Sequence, residues 1–190
     1  MLTTILAYVL IAVFSTGERG LRKGQQAQPF EADSFDRQST RRLGAAYAIS
    51  IIGLLAAPFL DYWSIGAIVP AWVGWIGLVI ALGGMALRAW ANRVLGAFYT
   101  RTLRVTEDQT VVQNGPYRFI RHPGYLGVIL MWVGAGLAAI NWIVVILIIV
   151  IMSLAYHYRI QTEEAMLVQS LGQPYAEYKA HTWKLIPYIY

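Results

Sequence analysis

Residues 123–158 read PGYLGVILMWVGAGLAAINWIVVILIIVIMSLAYHY, an apolar run interrupted near its middle by one strongly polar residue, Asn141. As a single helix these 36 residues would be about 54 Å long, far beyond a hydrocarbon core of roughly 30 Å. The run must therefore fold back on itself. Asn141 is the expected turn, and Trp142 is expected at the headgroup level.

Three more apolar stretches lie upstream, Leu2–Phe14, Leu43–Leu60 and Ala67–Leu87, and with Pro123–Ile140 and Trp142–Tyr158 they make five. All but the first approach the roughly 20 residues that a spanning helix needs. Leu2–Phe14 lacks a basic leader and runs into Ser15-Thr16-Gly17 and then charges, so it is expected to be a short retained span, not a cleaved signal. With 57% hydrophobic and 13% charged residues, the chain suits a bilayer better than water. The expected fold is an all-α polytopic membrane protein of about five transmembrane helices, with a tight C-terminal hairpin and cytoplasmic C-terminal helices. It forms a single membrane domain over 1–190, in which 1–87 holds the first helices and a basic loop and 88–190 holds the chemical core.

Charge sets the orientation. Six Lys and Arg lie in Glu18–Arg42, six in Arg88–Arg121, and the remaining three are Arg159, Lys179 and Lys184. With five spans all three groups fall on one side, which the positive-inside rule makes the cytoplasm, so the N-terminus is expected outside and the C-terminus inside. The net charge of +5 is that bias, and nucleic acid is not an expected partner because no exposed basic module carries stacking aromatics. The absence of cysteine excludes disulfides, thiolate metal sites, a cysteine nucleophile and prenyl or palmitoyl anchors. None of the three histidines has metal-ligand spacing to another, so no metal is expected.

Gly74, Gly77, Gly83 and Gly84 in the third span, and Gly127, Gly134 and Gly136 in the fourth, read as surfaces for close helix packing. The spans carry almost no ionisable groups, which argues against an ion path or a proton relay. Polar chemistry gathers instead at the cytoplasmic rim, in Thr106–Tyr125 and Tyr156–Gly172. Asn114-Gly115-Pro116-Tyr117 is a turn signal, and Pro123 fits the first turn of the next helix, whose outward amides can meet an anion or a purine edge. Tyr117, His122 and Tyr125 add flat, polar-tipped side chains there, or else serve as interfacial aromatics.

Arg159 and Glu163 stand four residues apart on a helix leaving the lipid, so they share a face. Such a pair is either an ordinary surface ion pair or, at the lipid–water boundary, a functional one. Glu164, about 100° round from Glu163, is expected to be solvated. His157 is expected to be interfacial, and His181 shows no partner. After Gly172, Pro174 can begin a helix with Tyr175, Tyr178 and Trp183 near one face, lying flat as an anchor or closing over a pocket.

Together, Gln109-Thr110-Val111-Val112, Gly115, Tyr117, Arg121-His122-Pro123-Gly124-Tyr125, Gly127, Arg159, Glu163-Glu164, Gly172, Tyr175 and Tyr178 resemble the isoprenylcysteine carboxyl methyltransferase family. That family lies within a wider group including the phospholipid methyltransferases. The resemblance covers roughly residues 88–187. It implies S-adenosylmethionine as cofactor, with S-adenosylhomocysteine as product, in a cytoplasmic pocket closed by the end of the chain and open to the membrane for a lipophilic acceptor. By position, Gln109, Thr110, Val111 and Val112 would line the cofactor pocket. Tyr117, His122, Pro123, Gly124 and Tyr125 would hold the cofactor, and Glu163 would bind its ammonium. Arg159 would face the substrate as the catalytic and substrate-binding residue. Gln109 stands where the family often has histidine.

The chemistry suits those residues. Methyl transfer from a sulfonium is an in-line displacement, to which a protein contributes positioning and desolvation. A carboxylate acceptor is already ionised at neutral pH and needs no general base, while Arg159 can orient it. Carboxyl O-methylation of a prenylcysteine-like acceptor is therefore the expected reaction. The alternatives are N- or S-methylation of a phospholipid amine or small thiol, and a non-catalytic scaffold or lipid-binding protein of the same fold. Membrane lipids are expected neighbours; the oligomeric state is left open.

Overall fold

The computed structural model describes residues 1–21, 34–67, 70–96 and 110–190, and the side chains of all of these except 18–21 and 34–36. Among the described residues, six α-helices follow in order: α1 (Leu2–Leu21), α2 (Ser34–Tyr62), α3 (Trp72–Leu95), α4 (Pro123–Ala138), α5 (Trp142–Leu171) and α6 (Gln173–His181). A 3-10 turn, Gly115–Arg118, precedes α4. Of the described residues, those within Arg37–Tyr62, Trp72–Leu95 and Trp142–Leu171 form helices long and apolar enough to cross a membrane, while the apolar segments Leu2–Gly17 and Pro123–Ala138 are shorter. Each of the five expected apolar stretches thus contributes a helix, the third beginning at Trp72 and running on to Leu95 where Ala67–Leu87 was expected. Large apolar side chains such as Ile52, Phe59, Val79, Val150 and Leu154 stay exposed, as lipid-facing residues do.

The hairpin turns at Asn141, and the reason is a set of hydrogen bonds. Its side-chain oxygen caps α5 by accepting from the amides of Ile143 and Val144 at 3.1 and 3.3 Å, satisfying two amides that a helix start leaves without partners. Its Nδ2 donates to Asp61 Oδ1 and to the Ile65 carbonyl, both at 2.9 Å. Asn141 is fully buried, so the turn lies under the α2–α3 connection, while Trp142 is half exposed beside it. The fourth span is shorter than expected. It ends at Ala138, and its 16 residues make a helix of about 24 Å. Most of its residues are buried among the other helices, so it need not meet lipid along its full length.

Glycines set the tightest contact. A Cβ on Gly77 would come within 2.5 Å of the Ala138 amide, and one on Gly84 within 2.5 Å of the Gly127 carbonyl. On α4, a Cβ on Gly127 or Gly134 would likewise run into the backbone of α3. Backbone therefore lies against backbone, which only missing side chains permit. Gly74 instead makes room for Thr3 of α1, Gly136 faces Val145 and Ile148 of α5, and Gly83 faces open space. Pro58 inside α2 cannot donate to the Leu54 carbonyl, and the Tyr8 hydroxyl of α1 fills that place at 2.7 Å.

About 45 Å of helix in α5, from its 30 residues, exceeds the lipid thickness. The part beyond Tyr158 therefore carries Arg159, Glu163 and Glu164 out of the hydrocarbon.

Candidate functional site

The hairpin returns the start of α4 beside the exit of α5, and the rim residues of both helices meet there. The Tyr125 ring lies at this meeting point, with the charges of Glu163 and Arg159 both acting on its hydroxyl. Arg159 is 4% exposed and its Nη1 donates to Ser39 Oγ and Thr40 Oγ1 of α2, at 3.3 and 3.4 Å. On Glu163, Oε2 lies 3.5 Å from His122 Nδ1 and is buried with no hydrogen-bond partner. The His122 ring stacks on Tyr125 with centroids 5.5 Å apart. Tyr125 packs in turn on Tyr156, whose hydroxyl meets that of Tyr47 at 2.5 Å.

Glu164 departs from expectation. It is 4% exposed, not solvated, because the chain beyond α5 folds back over that face of the helix. Its Oε1 accepts from Arg121 Nε at 2.8 Å and lies 3.3 Å from His122 Nε2, while Oε2 pairs with Lys179 Nζ at 2.9 Å. Burial alone would raise its pKa, but hydrogen bonds from His122, Lys179 and Arg121 outweigh it and hold the carboxyl well below the usual carboxylate range. A depressed folded-state value means that stability is present above the ordinary value near 4.5 and is lost as pH falls below it towards the folded value. Glu164→Gln should cost about 3 kcal/mol at pH 7 and weaken the acid-induced fall in stability, read as thermal unfolding in detergent against pH. Parallel profiles for the two proteins would contradict this placement.

The cover is the segment after Gly172. Tyr175 and Tyr178 of α6 are buried, and the Tyr178 hydroxyl donates to the Tyr117 carbonyl at 2.7 Å. Burial pushes that hydroxyl up to about 12, so it remains a donor at physiological pH. Backbone bonds from Arg121 N to Trp183 O and from His122 N to Lys184 O, at 2.8 and 3.2 Å, extend the closure, and Arg121 Nη1 adds bonds to the carbonyls of Lys179 and Thr182. Of the two readings of this helix, the one that closes over the turn describes its position.

Among the other candidates, Tyr117 is half-buried in the 3-10 turn and Pro123 and Gly124 are buried in the first turn of α4. Thr110 is exposed, with Val111 and Val112 half-buried. Gln109 lies outside the described residues. His157 is exposed at the rim, where Nδ1 meets the Tyr190 hydroxyl at 2.7 Å. His181 was expected to have no partner, but its Nδ1 meets the Glu177 carbonyl within α6 at 2.8 Å. Sequence reasoning did not single out Ser39, Thr40 or Lys179, which the tertiary fold brings to Arg159 and Glu164.

A sequence profile described as the isoprenylcysteine carboxyl methyltransferase family matches residues 75–169. A probable protein-S-isoprenylcysteine O-methyltransferase of Oryza sativa subsp. indica is 30% identical over 138 residues, covering 72% of this chain and 68% of that protein. The chain belongs to the isoprenylcysteine carboxyl methyltransferase family. The Dictyostelium discoideum protein-S-isoprenylcysteine O-methyltransferase is 28% identical, covering 72% of this chain and 60% of its own length. A solved eukaryotic intramembrane Ras methyltransferase superposes with a TM-score of 0.69 at 25% identity, over 75% of this chain and 52% of that one. The chain thus spans about half of that solved relative. It is a multi-pass integral membrane protein of the isoprenylcysteine methyltransferase fold, and the family's methyl donor is S-adenosylmethionine.

The residues present fit that cofactor. A buried carboxylate oxygen without a hydrogen-bond partner, Glu163 Oε2, is suited to an ammonium group, since leaving it unmatched costs free energy.

Proposed function

We propose that this chain transfers a methyl group from S-adenosylmethionine to the carboxylate of a prenylcysteine acceptor drawn from the membrane, giving a methyl ester. The acceptor is carried over from the relatives' names, and the observation that supports the chemistry is the buried, unpartnered Glu163 Oε2 beside His122, one helical turn from the buried Arg159. When bound, the cofactor supplies an electrophilic methyl on a sulfonium. Glu163, with Tyr125 and His122 around it, holds the ammonium of the methionyl group, and Tyr117 with residues 110–112 encloses the rest. Arg159 orients one oxygen of the acceptor carboxylate and leaves the other free to attack. Ser39 and Thr40 fix the guanidinium so that it need not reorganise during the reaction. No proton has to move, because a carboxylate acceptor is already ionised at neutral pH.

The deciding experiment supplies the purified chain with methyl-labelled cofactor and N-acetyl-S-farnesylcysteine. Label released by mild alkali supports the reading, because esters hydrolyse and N- or S-methyl groups do not. Incorporation only into alkali-stable product, or none from folded protein, overturns it.

We further assign the site to the cytoplasmic face and the N-terminus to the outer one, on the charge bias of the loops. The chain has no cysteine, so single cysteines can report the orientation. Ser64→Cys and Ala180→Cys should react with an impermeant maleimide from opposite sides, Ser64→Cys from outside. The reverse pattern would invert the assignment.

A further inference from the structure

On α5 the lipid-facing residues form one stripe. Ile146, Ile149, Val150 and Leu154 recur at helical spacing and stay exposed. Three residues on, about 4.5 Å along the axis, the same face reaches the exposed His157. Tyr190 sits there. Its ring stacks on that of His157 with centroids 6.0 Å apart, its hydroxyl meets Nδ1 at 2.7 Å, and Lys184 Nζ donates to the same hydroxyl at 3.0 Å. From the backbone bonds that pair Trp183 and Lys184 with Phe119, Arg121 and His122, the segment after α6 therefore runs out to the place where the stripe of α5 leaves the hydrocarbon.

What it brings there is apolar. Residues 183–190 read WKLIPYIY, and Trp183, Ile186, Tyr188 and Ile189 are exposed, Tyr188 by 87% and Ile189 by 77%. Facing water, so much aromatic and aliphatic surface on one short segment is uncompensated. At the headgroup level of a bilayer it is the composition that binds: aromatic rings at the acyl boundary with polar tips in water, aliphatic side chains below them and a lysine among the phosphates. The exposed Phe119, with the Arg118 guanidinium over its ring, continues the patch from the turn before α4, since its carbonyl accepts from the Trp183 amide.

We propose that residues 183–190, with Phe119, lie in the interface of the leaflet at which α5 emerges, so that the membrane surface is the partner that holds the cover of the site in place. Trp183 belongs to both contacts: its carbonyl accepts from the Arg121 amide, and its ring stacks on the exposed Tyr188. Leaving the membrane and opening the cover are then one movement. The test uses the full chain in phosphatidylcholine nanodiscs. With no native cysteine to compete, Tyr188→Cys and Ile189→Cys each take a single environment-sensitive fluorophore. Lipids carrying a nitroxide near the headgroup should quench both labels several-fold more than aqueous iodide does, and iodide quenching that equals or exceeds nitroxide quenching overturns the proposal. The link to the cover is read by hydrogen exchange. Tyr188→Ser combined with Ile189→Ser should speed exchange of the Arg121 and His122 amides about tenfold in the nanodiscs, while unchanged protection in α3 and in the middle of α4 shows that the fold is intact. Exchange at Arg121 and His122 that stays as slow as in the wild type would mean that the membrane does not hold the cover.

Discussion

Arg159→Ala is expected to lower kcat by about 100-fold while leaving the affinity for S-adenosylhomocysteine within about threefold. The guanidinium is buried and hydrogen-bonded to Ser39 and Thr40, so it is held still where the acceptor carboxylate must be oriented. Arg159→Lys keeps the charge but loses the fork, and should recover only part of the rate. Glu163→Ala should show the opposite pattern: cofactor affinity falls by about tenfold to a hundredfold, because a charge-assisted bond to the ammonium is gone, while turnover at saturating cofactor changes little. The two residues lie one helical turn apart on α5, so their split between kcat and affinity carries the information. Small and equal effects from both would show that neither residue holds its assigned ligand.

The second large effect concerns folding. Gly134→Val should destabilise the chain by about 3 kcal/mol or prevent its assembly. Any Cβ there strikes the backbone of Gly77 and Ala81 on α3, and backbone cannot swing aside as a long side chain can. Gly83→Ala on α3 is the control, since a Cβ there meets nothing within 4 Å. Thermal unfolding and size-exclusion behaviour in detergent would separate the two. Similar stability for both variants would mean that α3 and α4 are not in backbone contact.

The hairpin could be read from the sequence because its evidence is local. A 36-residue apolar run is too long for one crossing, and Asn141 is the one strongly polar residue near its middle. The one-turn spacing of Arg159 and Glu163 was legible for the same reason, since the helix period alone puts them on one face. The length of α4 was not, because hydropathy does not show that a helix is enclosed by protein on most sides and need not match the bilayer. Glu164 was misjudged because helix geometry gives its angle round the axis but not what covers that angle. The cover comes from Lys179 and from the strand-like pairing of Arg121 and His122 with Trp183 and Lys184, which joins segments far apart in the chain, as the Arg121 bond to the Lys179 carbonyl across 58 positions shows. Ser39 and Thr40 were invisible for a related reason: short hydroxyl residues are common at helix starts, and only the tertiary fold brings them to Arg159.

The bonds that Asn141 makes to Asp61 and Ile65 have a mechanical consequence. They tie the end of α2 and the connection after it to the hairpin at the end remote from the site. At the other end Tyr158 and Arg159 of α5 donate to Gln38, Ser39 and Thr40 of α2. The two helices are thus fastened at both ends, and any sideways parting of them has to break polar contacts at the site itself.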